Sequence, residues 1–367
     1  MKVLAVAAPL VGHLTPLLPL AGALRAAGHD VLIVTGGDAA SVDTGDIPVR
    51  DVLGALSMGR IAAPIALARP RLAALEMSGR AGTRMVGRLF GAINARMADG
   101  VVALARQWRP DLVLQESLAA SGALAAAVVG VPAVLQESNL WDGADLLAVT
   151  AADARLRRVL DHYRVDALRP AVTIRTGPPS MVGERPGPRM RAVPSSGAGE
   201  LPGWLAEPGA RPRVLVSHST IGPSGGDPTA AVVAAADRVD AEFVLVRGRV
   251  KTLPSNVRAT GWIPLDRALR HAAALVHHGG AGSLVQALAR GVPQLVVPGA
   301  GDRRYNAELV VRRGVGLAAP AKRITADDLT RLVEDAALRR AGQDVAAEIA
   351  ALPEPASLVP TLEALTH

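Results

Sequence analysis

The chain has 367 residues, half of them hydrophobic, which is enough for two packed α/β domains of similar size. It has no cysteine, which excludes disulfide frameworks and thiolate chemistry and fits a cytoplasmic protein. The formal net charge is +7, but no basic cluster interleaved with aromatic residues indicates nucleic-acid binding. We attribute most of the arginines to compositional bias, and a field that attracts anionic ligands is the alternative.

The first half of the chain alternates short apolar runs with Ala- and Leu-rich amphipathic segments. This alternation predicts a parallel sheet with helices on both faces, over residues 1–190. The predicted strands and helices cover 3–8, 15–27, 30–35, 55–107, 111–114, 121–129 and 132–136. The helical stretch 55–107 either walls a ligand pocket or serves as scaffold. The first strand lacks the features of a signal peptide and no apolar run spans a bilayer, so we expect no stable membrane insertion.

A histidine follows the first predicted strand, at the edge of the sheet where open α/β folds bind ligands. Gly12 turns the chain before His13, and Thr15 and Pro16 are predicted to be the N-cap and first position of the next helix. An imidazole there would project into a cleft, and its near-neutral pKa suits a general base. The alternative is an exposed loop histidine with no catalytic role.

A catalytic histidine needs a partner that fixes its tautomer and stabilises its protonated form. Glu116 follows the strand over 111–114, which we predict to lie beside the first strand. Glu137, after the next strand, is a competing carboxylate. The alternative for Glu116 is a solvated loop position without a catalytic task.

Proline and glycine become dense between residues 176 and 213. This change in composition predicts an interdomain linker over 191–212. A second α/β domain is predicted over 213–352, with its first strands at 214–217 and 243–246. Residues 353–367 hold a candidate final helix.

The most informative stretch of the chain lies in this second domain. An apolar strand over 273–276 leads into a glycine-rich turn, a helix over 284–289 and a further strand over 294–297. The unpaired N–H groups and the dipole of a helix start favour an anion. The predicted anion site comprises His278, Gly279, Gly280, Ala281, Gly282 and Ser283. A tight turn that serves packing alone is the alternative.

Several motifs, taken in order, resemble those of glycosyltransferase family 1, the GT-B enzymes that decorate bacterial natural products. They are G-H-x-x-P at 12–16, HHGGAGS at 277–283, GVPQLVVP at 291–298 and D-x-x-x-N-A at 302–307. The resemblance covers nearly the whole chain. It implies an α/β GT-B fold, with two facing Rossmann-like domains that have parallel sheets, and a final helix at 353–367 that packs back on the first domain.

The resemblance also implies roles for the matching residues. His13 would be the general base and Glu116 its orienting partner, where many relatives have Asp. A donor diphosphate would lie at 278–283, with Ser219 and Thr220 as further hydrogen-bond donors.

The nucleotide base and the donor sugar have their own matching positions. Trp262 and Ile263 resemble the element that lies against the base, with a core tryptophan as the alternative. Asp302 and Arg303 match the positions that contact the donor sugar. Arg303 replaces the usual glutamine, which argues against assuming glucose and fits a deoxysugar or an acidic sugar.

The implied activity is metal-independent, inverting transfer of a sugar, preferably a deoxysugar, to a small natural-product acceptor. The donor would be a dTDP- or UDP-linked nucleotide sugar, and no cofactor is implied. The sequence does not decide between a monomer and a homodimer. The alternatives are a nucleotide-sugar epimerase on the same fold, a non-catalytic activating partner of another glycosyltransferase, and transfer to a ring carbon. The G-H element argues against the epimerase, and intact His13, His278 and Asp302 argue against a non-catalytic partner.

Overall fold

The computed structural model describes residues 1–194, 199–218, 225–248 and 252–366. These residues form two six-stranded sheets in which neighbouring strands run parallel. The strands of the first sheet are β1 (Lys2–Val6), β2 (Asp30–Thr35), β3 (Val49–Asp51), β4 (Leu112–Glu116), β5 (Ala133–Gln136) and β6 (Val172–Ile174). Those of the second are β7 (Arg213–Ser217), β8 (Glu242–Val246), β9 (Val257–Thr260), β10 (Ala274–His277), β11 (Gln294–Val296) and β12 (Gly316–Ala318).

Helices cover both faces of each sheet, as the alternating sequence predicts. The first part of the chain contains α1 (Val11–Leu14), α2 (Leu18–Ala26), α3 (Met58–Ala68), α4 (Pro70–Met77), α5 (Thr83–Trp108), α6 (Ala120–Val129), α7 (Gly143–Ala151), α8 (Ala154–His162) and α9 (Pro179–Val182). The second part contains α10 (Thr229–Ala235), α11 (Leu265–Ala268), α12 (Ala281–Ala289), α13 (Arg303–Arg313), α14 (Ala326–Glu334), α15 (Ala336–Ala351) and α16 (Val359–Glu363).

Both sheets have the same doubly wound order, and the chain is of the α/β GT-B class. The first sheet runs β3-β2-β1-β4-β5-β6, and the second runs β9-β8-β7-β10-β11-β12. The strand order reverses between β1 and β4 and again between β7 and β10, which makes a crevice at the carboxyl end of each sheet. His13 and Glu116 lie at the first of these crevices, and His278 lies at the second.

The strands are apolar on both faces because helices cover both sides of a parallel sheet. In β1, Leu4 and Val6 belong to one buried cluster, and Val3 and Ala5 belong to the cluster on the opposite face. All four side chains are fully buried. This packing holds β1 rigidly, so the loop that follows it starts from a well-defined position.

The end of the chain returns to the first domain. Leu358, Val359 and Leu362 are buried in the same cluster as Val3 and Ala5. His29 Nε2 lies 2.9 Å from the carboxylate of Glu363 on α16. The last segment therefore connects the two domains physically, beside the crossing at residues 191–194.

Two predicted helix starts differ from the observed ones. The helix predicted over 15–27 is instead α1, a 3₁₀ turn over Thr15–Leu17, and α2, so Thr15 is not an N-cap and His13 lies within α1. Pro16 has no N–H and interrupts the helical hydrogen bonding, which explains the break. Helix α12 begins at Ala281 rather than at 284. Of the helices that the structure describes, none is long and apolar enough to cross a membrane.

Candidate active site

The carboxyl edges of the two sheets face a common cleft. The cleft is lined by residues of the first domain, of the interdomain crossing and of α12, among them Gly12, Thr15, Ser138, Val193, Pro194, Gly282 and Gln286. A ligand in this cleft would therefore contact both domains at once, as a reaction between two bound molecules requires.

His13 and Glu116 are brought together at the first-domain side of the cleft. His13 Nδ1 lies 3.3 Å from Glu116 Oε2. The imidazole also packs against Phe90 of α5, with ring centroids 5.0 Å apart. A proton on Nδ1 facing the carboxylate leaves Nε2 with its lone pair, so Nε2 is the nitrogen available as a base. The separation is long for a hydrogen bond, as is common before substrate binds.

The carboxylate of Glu116 is buried and held from three directions. Its oxygens accept hydrogen bonds from the backbone N–H groups of Ala8 and Leu118, at 3.2 and 2.9 Å, and from the Ser138 hydroxyl at 3.1 Å. The sequence interpretation did not identify Ser138. These donors satisfy the carboxylate oxygens and fix their orientation, so Glu116 acts as a rigid partner for His13.

The competing carboxylate, Glu137, is committed elsewhere. Its Oε1 accepts from the guanidinium groups of Arg175 at 2.8 Å and Arg185 at 3.1 Å, and from the backbone N–H of Gly143 at 3.1 Å. A carboxylate with two arginine partners is a structural ion pair. The geometry thus favours Glu116 over Glu137 as the partner of His13.

The electrostatic environment of His13 favours its protonated form. Burial by itself lowers the pKa of His13, but the charge of Glu116, its hydrogen bonding and the charge of Asp302 outweigh burial and raise the pKa above 6.5. Asp302 belongs to the second domain. His13 and Asp302, which belong to different domains, are therefore close enough for their charges to interact.

The anion site begins at the end of β10. Gly280 is the N-cap of α12, so the N–H groups of Ala281, Gly282 and Ser283 occupy the first turn, where they have no partner inside the helix. Gly279 has φ of 81°, a left-handed conformation that favours glycine. The structure thus presents backbone donors at the point where the sequence predicts an anion.

His277, which has no role in the sequence interpretation, fixes this turn. Its Nδ1 accepts a hydrogen bond from the Gly279 N–H at 3.1 Å, so Nε2 carries the proton and donates to Gln294 Oε1 at 2.9 Å. Burial lowers the pKa of His277 to about 4, which keeps the imidazole neutral. The two histidines therefore differ in their contacts: His277 holds the loop through two hydrogen bonds, whereas the His278 ring lies beside Gly280 at the start of α12.

The surroundings of His278 favour its neutral form. Burial, followed by the charges of His277, Arg303 and His218, lowers the pKa of His278 to about 3. Its Nδ1 is buried and has no hydrogen-bond partner among the described residues. A neutral imidazole has one N–H that can donate a hydrogen bond, and Arg303 carries a positive charge close to it.

At Gly280 a side chain would collide with the His278 ring, although the backbone conformation itself does not require glycine. A Cβ placed on it would lie 2.5 Å from His278 Nε2. We expect Gly280→Ala to displace the imidazole and weaken nucleoside diphosphate binding about tenfold or more, since overpacking of this kind typically costs about 1–3 kcal/mol. Titration calorimetry with thymidine diphosphate measures the change.

The matched control for that prediction is Gly22→Ala. Gly22 lies within α2 of the first domain, and a Cβ on it meets no atom within 4 Å. We expect Gly22→Ala to keep the wild-type affinity. Equal affinities of the two variants would show that the position of His278 does not matter for the diphosphate.

The donor-sugar residues are linked to the anion turn by Asn306. Its Nδ2 donates to Asp302 Oδ2 at 2.9 Å and to the carbonyl of Gly279 at 2.8 Å. Burial raises the pKa of Asp302, against the Asn306 hydrogen bond and the charges of His13 and Arg303, which lower it. Arg303 is only 8% exposed, so it is not a surface arginine. Asp302 and Arg303 are both shielded from solvent, and the charge of each affects the pKa of the other.

Trp262 and Ile263 differ in exposure. Trp262 is 58% exposed, whereas Ile263 is 2% exposed and packs in the second-domain core. The alternative of a core tryptophan is thus wrong, and the indole face is available for stacking. Ser219 and Thr220, the other predicted diphosphate donors, lie outside the described residues. Among the described residues, no group of three or more histidine or acidic side chains could hold a metal ion.

Comparison with known proteins identifies the family. The model described as erythromycin biosynthesis protein CIII-like, N-terminal domain, matches residues 22–219, and its C-terminal counterpart matches residues 230–365. The elloramycin glycosyltransferase of Streptomyces olivaceus is 36% identical over 99% of this chain and 97% of its own length. The aclacinomycin-T 2-deoxy-L-fucose transferase of Streptomyces galilaeus is 30% identical over 100% of this chain and 96% of its own.

A solved glycosyltransferase structure has the same fold over nearly the whole chain. The glycosyltransferase SsfS6 of Streptomyces sp. SF2575, complexed with thymidine diphosphate, superposes with a TM-score of 0.84 at 29% identity, over 99% of each chain. The sheet order, the facing crevices and these likenesses all lead to one assignment. The chain belongs to the erythromycin biosynthesis protein CIII-like family and is a GT-B glycosyltransferase of the bacterial natural-product type.

Proposed function

We propose that the protein transfers a deoxysugar from a thymidine diphosphate-linked donor to a hydroxyl group of a small natural-product acceptor, with inversion at the anomeric carbon. The observation that carries this proposal is that the residues beside His13 and the start of α12 line one cleft, where His13 is paired with Glu116 and interacts with the charge of Asp302. The relative that acts on 2-deoxy-L-fucose supports a deoxysugar. The thymidine diphosphate bound to SsfS6 supports the nucleotide.

In the proposed reaction, His13 Nε2 accepts the proton of the acceptor hydroxyl. The acceptor oxygen forms a bond to the anomeric carbon, while the bond from that carbon to the diphosphate oxygen breaks on the opposite face. The charge of Glu116 stabilises the imidazolium that results. A single displacement of this kind inverts the anomeric configuration.

The leaving diphosphate gains negative charge as the bond breaks. In this proposal the N–H groups at the start of α12 and the imidazole of His278 donate hydrogen bonds to it, and Arg303 supplies a positive charge nearby. An anion beside His278 also opposes the effects that lower its pKa, so its proton affinity rises when the donor is bound. This site requires no resident cofactor.

The experiment that tests the proposal is an incubation with a thymidine diphosphate-linked deoxysugar and a panel of polycyclic and macrocyclic aglycones. Mass spectrometry is expected to show the aglycone plus one sugar minus water, together with free thymidine diphosphate. Conversion of the nucleotide sugar to an isomer without an acceptor would instead indicate the epimerase. Thermal shifts with a panel of nucleotides would first select the nucleotide.

We expect activity to survive EDTA. In the proposed reaction, backbone donors, His278 and Arg303 stabilise the leaving group without a metal ion. The acidic pair Asp327 and Asp328 lies at the start of α14, where Asp328 forms a capping box with Thr325. Initial rates with and without chelator should agree within about twofold. Strict dependence on an added divalent cation would contradict this expectation.

Arg303 is expected to tune the choice of donor sugar. It replaces an amide and is buried next to Asp302, so its charge affects how Asp302 presents its oxygens. Arg303→Gln should change the ratio of kcat/KM between glucose-type and deoxysugar donors about fivefold or more, beyond any loss of nucleotide affinity that both donors share. Two donors that share a nucleotide give the measurement.

Arg331 on α14 is the matched control for this test, because it is an arginine outside the site. Its side chain is 63% exposed and pairs with Asp335 at 3.4 Å. Arg331→Gln should leave the donor ratio close to that of the wild type. A ratio unchanged in Arg303→Gln would show that position 303 makes no contribution to sugar choice.

A further inference from the structure

The donor-sugar segment (residues 299–304) is in contact with the first domain as well as with its own. It lies between β11 and the first turn of α13 and carries Asp302 and Arg303. The end of α4 and the turn that follows it, in the first domain, pack directly on this segment. No sequence pattern indicates this contact, because none of the motifs named above lies in α4.

A hydrogen bond joins the two domains at this point. Glu76 Oε1, at the end of α4, accepts from the backbone N–H of Gly301 at 2.8 Å. Burial raises the pKa of Glu76, the Gly301 hydrogen bond lowers it, and the charge of Asp302 raises it again. The Glu76 carboxylate is therefore close to Asp302 and holds the backbone immediately before it.

Close packing reinforces that hydrogen bond. Gly79 has φ of 69°, and a Cβ placed on it would overlap the carbonyl oxygen of Gly299 and lie 2.8 Å from Arg304 Cβ. Only a glycine lets the turn after α4 approach the segment this closely. The contact covers both ends of residues 299–304.

A second contact from the first domain lies just beyond the segment. Trp141, after β5, stacks on Tyr305 of α13, with ring centroids 5.8 Å apart and planes inclined by 29°. Leu140 is 2% exposed and is buried in a second-domain cluster. The donor-sugar segment thus has first-domain residues on two sides.

From these contacts we infer that Glu76 is a positioning residue for the donor sugar, which acts by fixing residues 299–304 and thereby the carboxylate of Asp302. The inference rests on the proposed function, since it assigns the recognition of that donor partly to the acceptor domain. Donor-sugar selectivity is then a property of both domains. Replacing only the second domain of this protein by that of a relative would therefore not transfer the relative's donor-sugar selectivity in full.

The test compares Glu76→Ala with Glu76→Gln. Glutamine keeps an oxygen that accepts from the Gly301 N–H, whereas alanine has none. We expect Glu76→Ala to weaken binding of a thymidine diphosphate-linked sugar about tenfold, with affinity for thymidine diphosphate alone within about twofold of wild type. Glu76→Gln should restore sugar-nucleotide affinity to within about threefold. Titration calorimetry measures both affinities.

A second readout requires no ligand. Hydrogen exchange of the free protein should be faster in residues 299–304 of Glu76→Ala and close to wild type in Glu76→Gln. Gly79→Ala should produce the same faster exchange and the same selective loss of sugar-nucleotide affinity. Gly82→Ala is the matched control, because Gly82 has a similar φ of 60° but a Cβ there meets no atom within 4 Å.

Each failure has a distinct meaning. If the wild type binds the nucleotide sugar and Glu76→Ala binds it equally tightly, the inference is overturned and the proposed function stands. Equal losses for thymidine diphosphate and for its sugar conjugate, or no rescue by Glu76→Gln, would also overturn the inference. A wild type that binds no nucleotide sugar would overturn both.

Discussion

Replacing His13 by alanine is expected to abolish sugar transfer while nucleotide binding stays close to wild type. Loss of a general base typically removes about two to four orders of magnitude from the rate. His13 lies on α1 in the first domain, and the proposed diphosphate site lies at the start of α12 in the second. Single-turnover rates at saturating donor, together with calorimetry for thymidine diphosphate, separate the two effects.

A matched control for this variant is His162→Ala, since His162 is exposed at the end of α8. It should transfer sugar at the wild-type rate. Turnover of His13→Ala within about threefold of wild type would contradict the assignment, because even a weak general base contributes more than that. A parallel loss of nucleotide affinity would point to misfolding or to a binding role instead.

Glu116→Gln is expected to have the second-largest effect. It should lower turnover less than His13→Ala, and the double variant should be no slower than His13→Ala alone, because residues that act as one unit are not additive. The glutamine side chain would keep most of the hydrogen bonding at this position but lose the charge that stabilises the imidazolium. Fully additive losses in a double-mutant cycle would mean that Glu116 works independently of His13.

The pH profile gives Glu116 a separate test. His13 acts as a base only when neutral, and its pKa is raised above 6.5 by Glu116 and Asp302. The acid limb of kcat/KM should therefore lie above pH 6.5 in the wild type. Removing the Glu116 charge lowers the pKa of His13, so the limb should move to lower pH in Glu116→Gln. A limb that does not move would exclude the charge interaction.

Much of the fold follows from local sequence patterns. Buried apolar runs alternating with amphipathic segments define parallel strands and their helices, and the carboxyl ends of those strands then define the two crevices. Glu116 and residues 278–283 could be singled out because they end or directly follow a buried strand, and His13 because it lies in the first helical turn after β1. Trp262 lies in a motif that resembles the base-binding element of the family, but only the structure shows that its indole is exposed rather than buried in the core.

The remaining features depend on tertiary contacts that no local pattern encodes. The burial of Arg303 at the start of α13 and the hydrogen bond of Glu76 to Gly301 both require the other parts of the fold to be in place. The role of His277 depends on Gln294, a partner on the neighbouring strand. The break of the first helix at Pro16 is a local feature that the sequence interpretation placed wrongly, because proline also suits a first helical turn.

The most direct test of the central claim is the anomeric configuration of the product. A nucleotide sugar of known configuration is incubated with an accepted aglycone, and the glycoside is isolated and examined by proton NMR. Direct attack by an acceptor oxygen that His13 has deprotonated predicts a single product with the anomeric configuration opposite to that of the donor. A product that retains the donor configuration would contradict the single displacement and with it the role of His13.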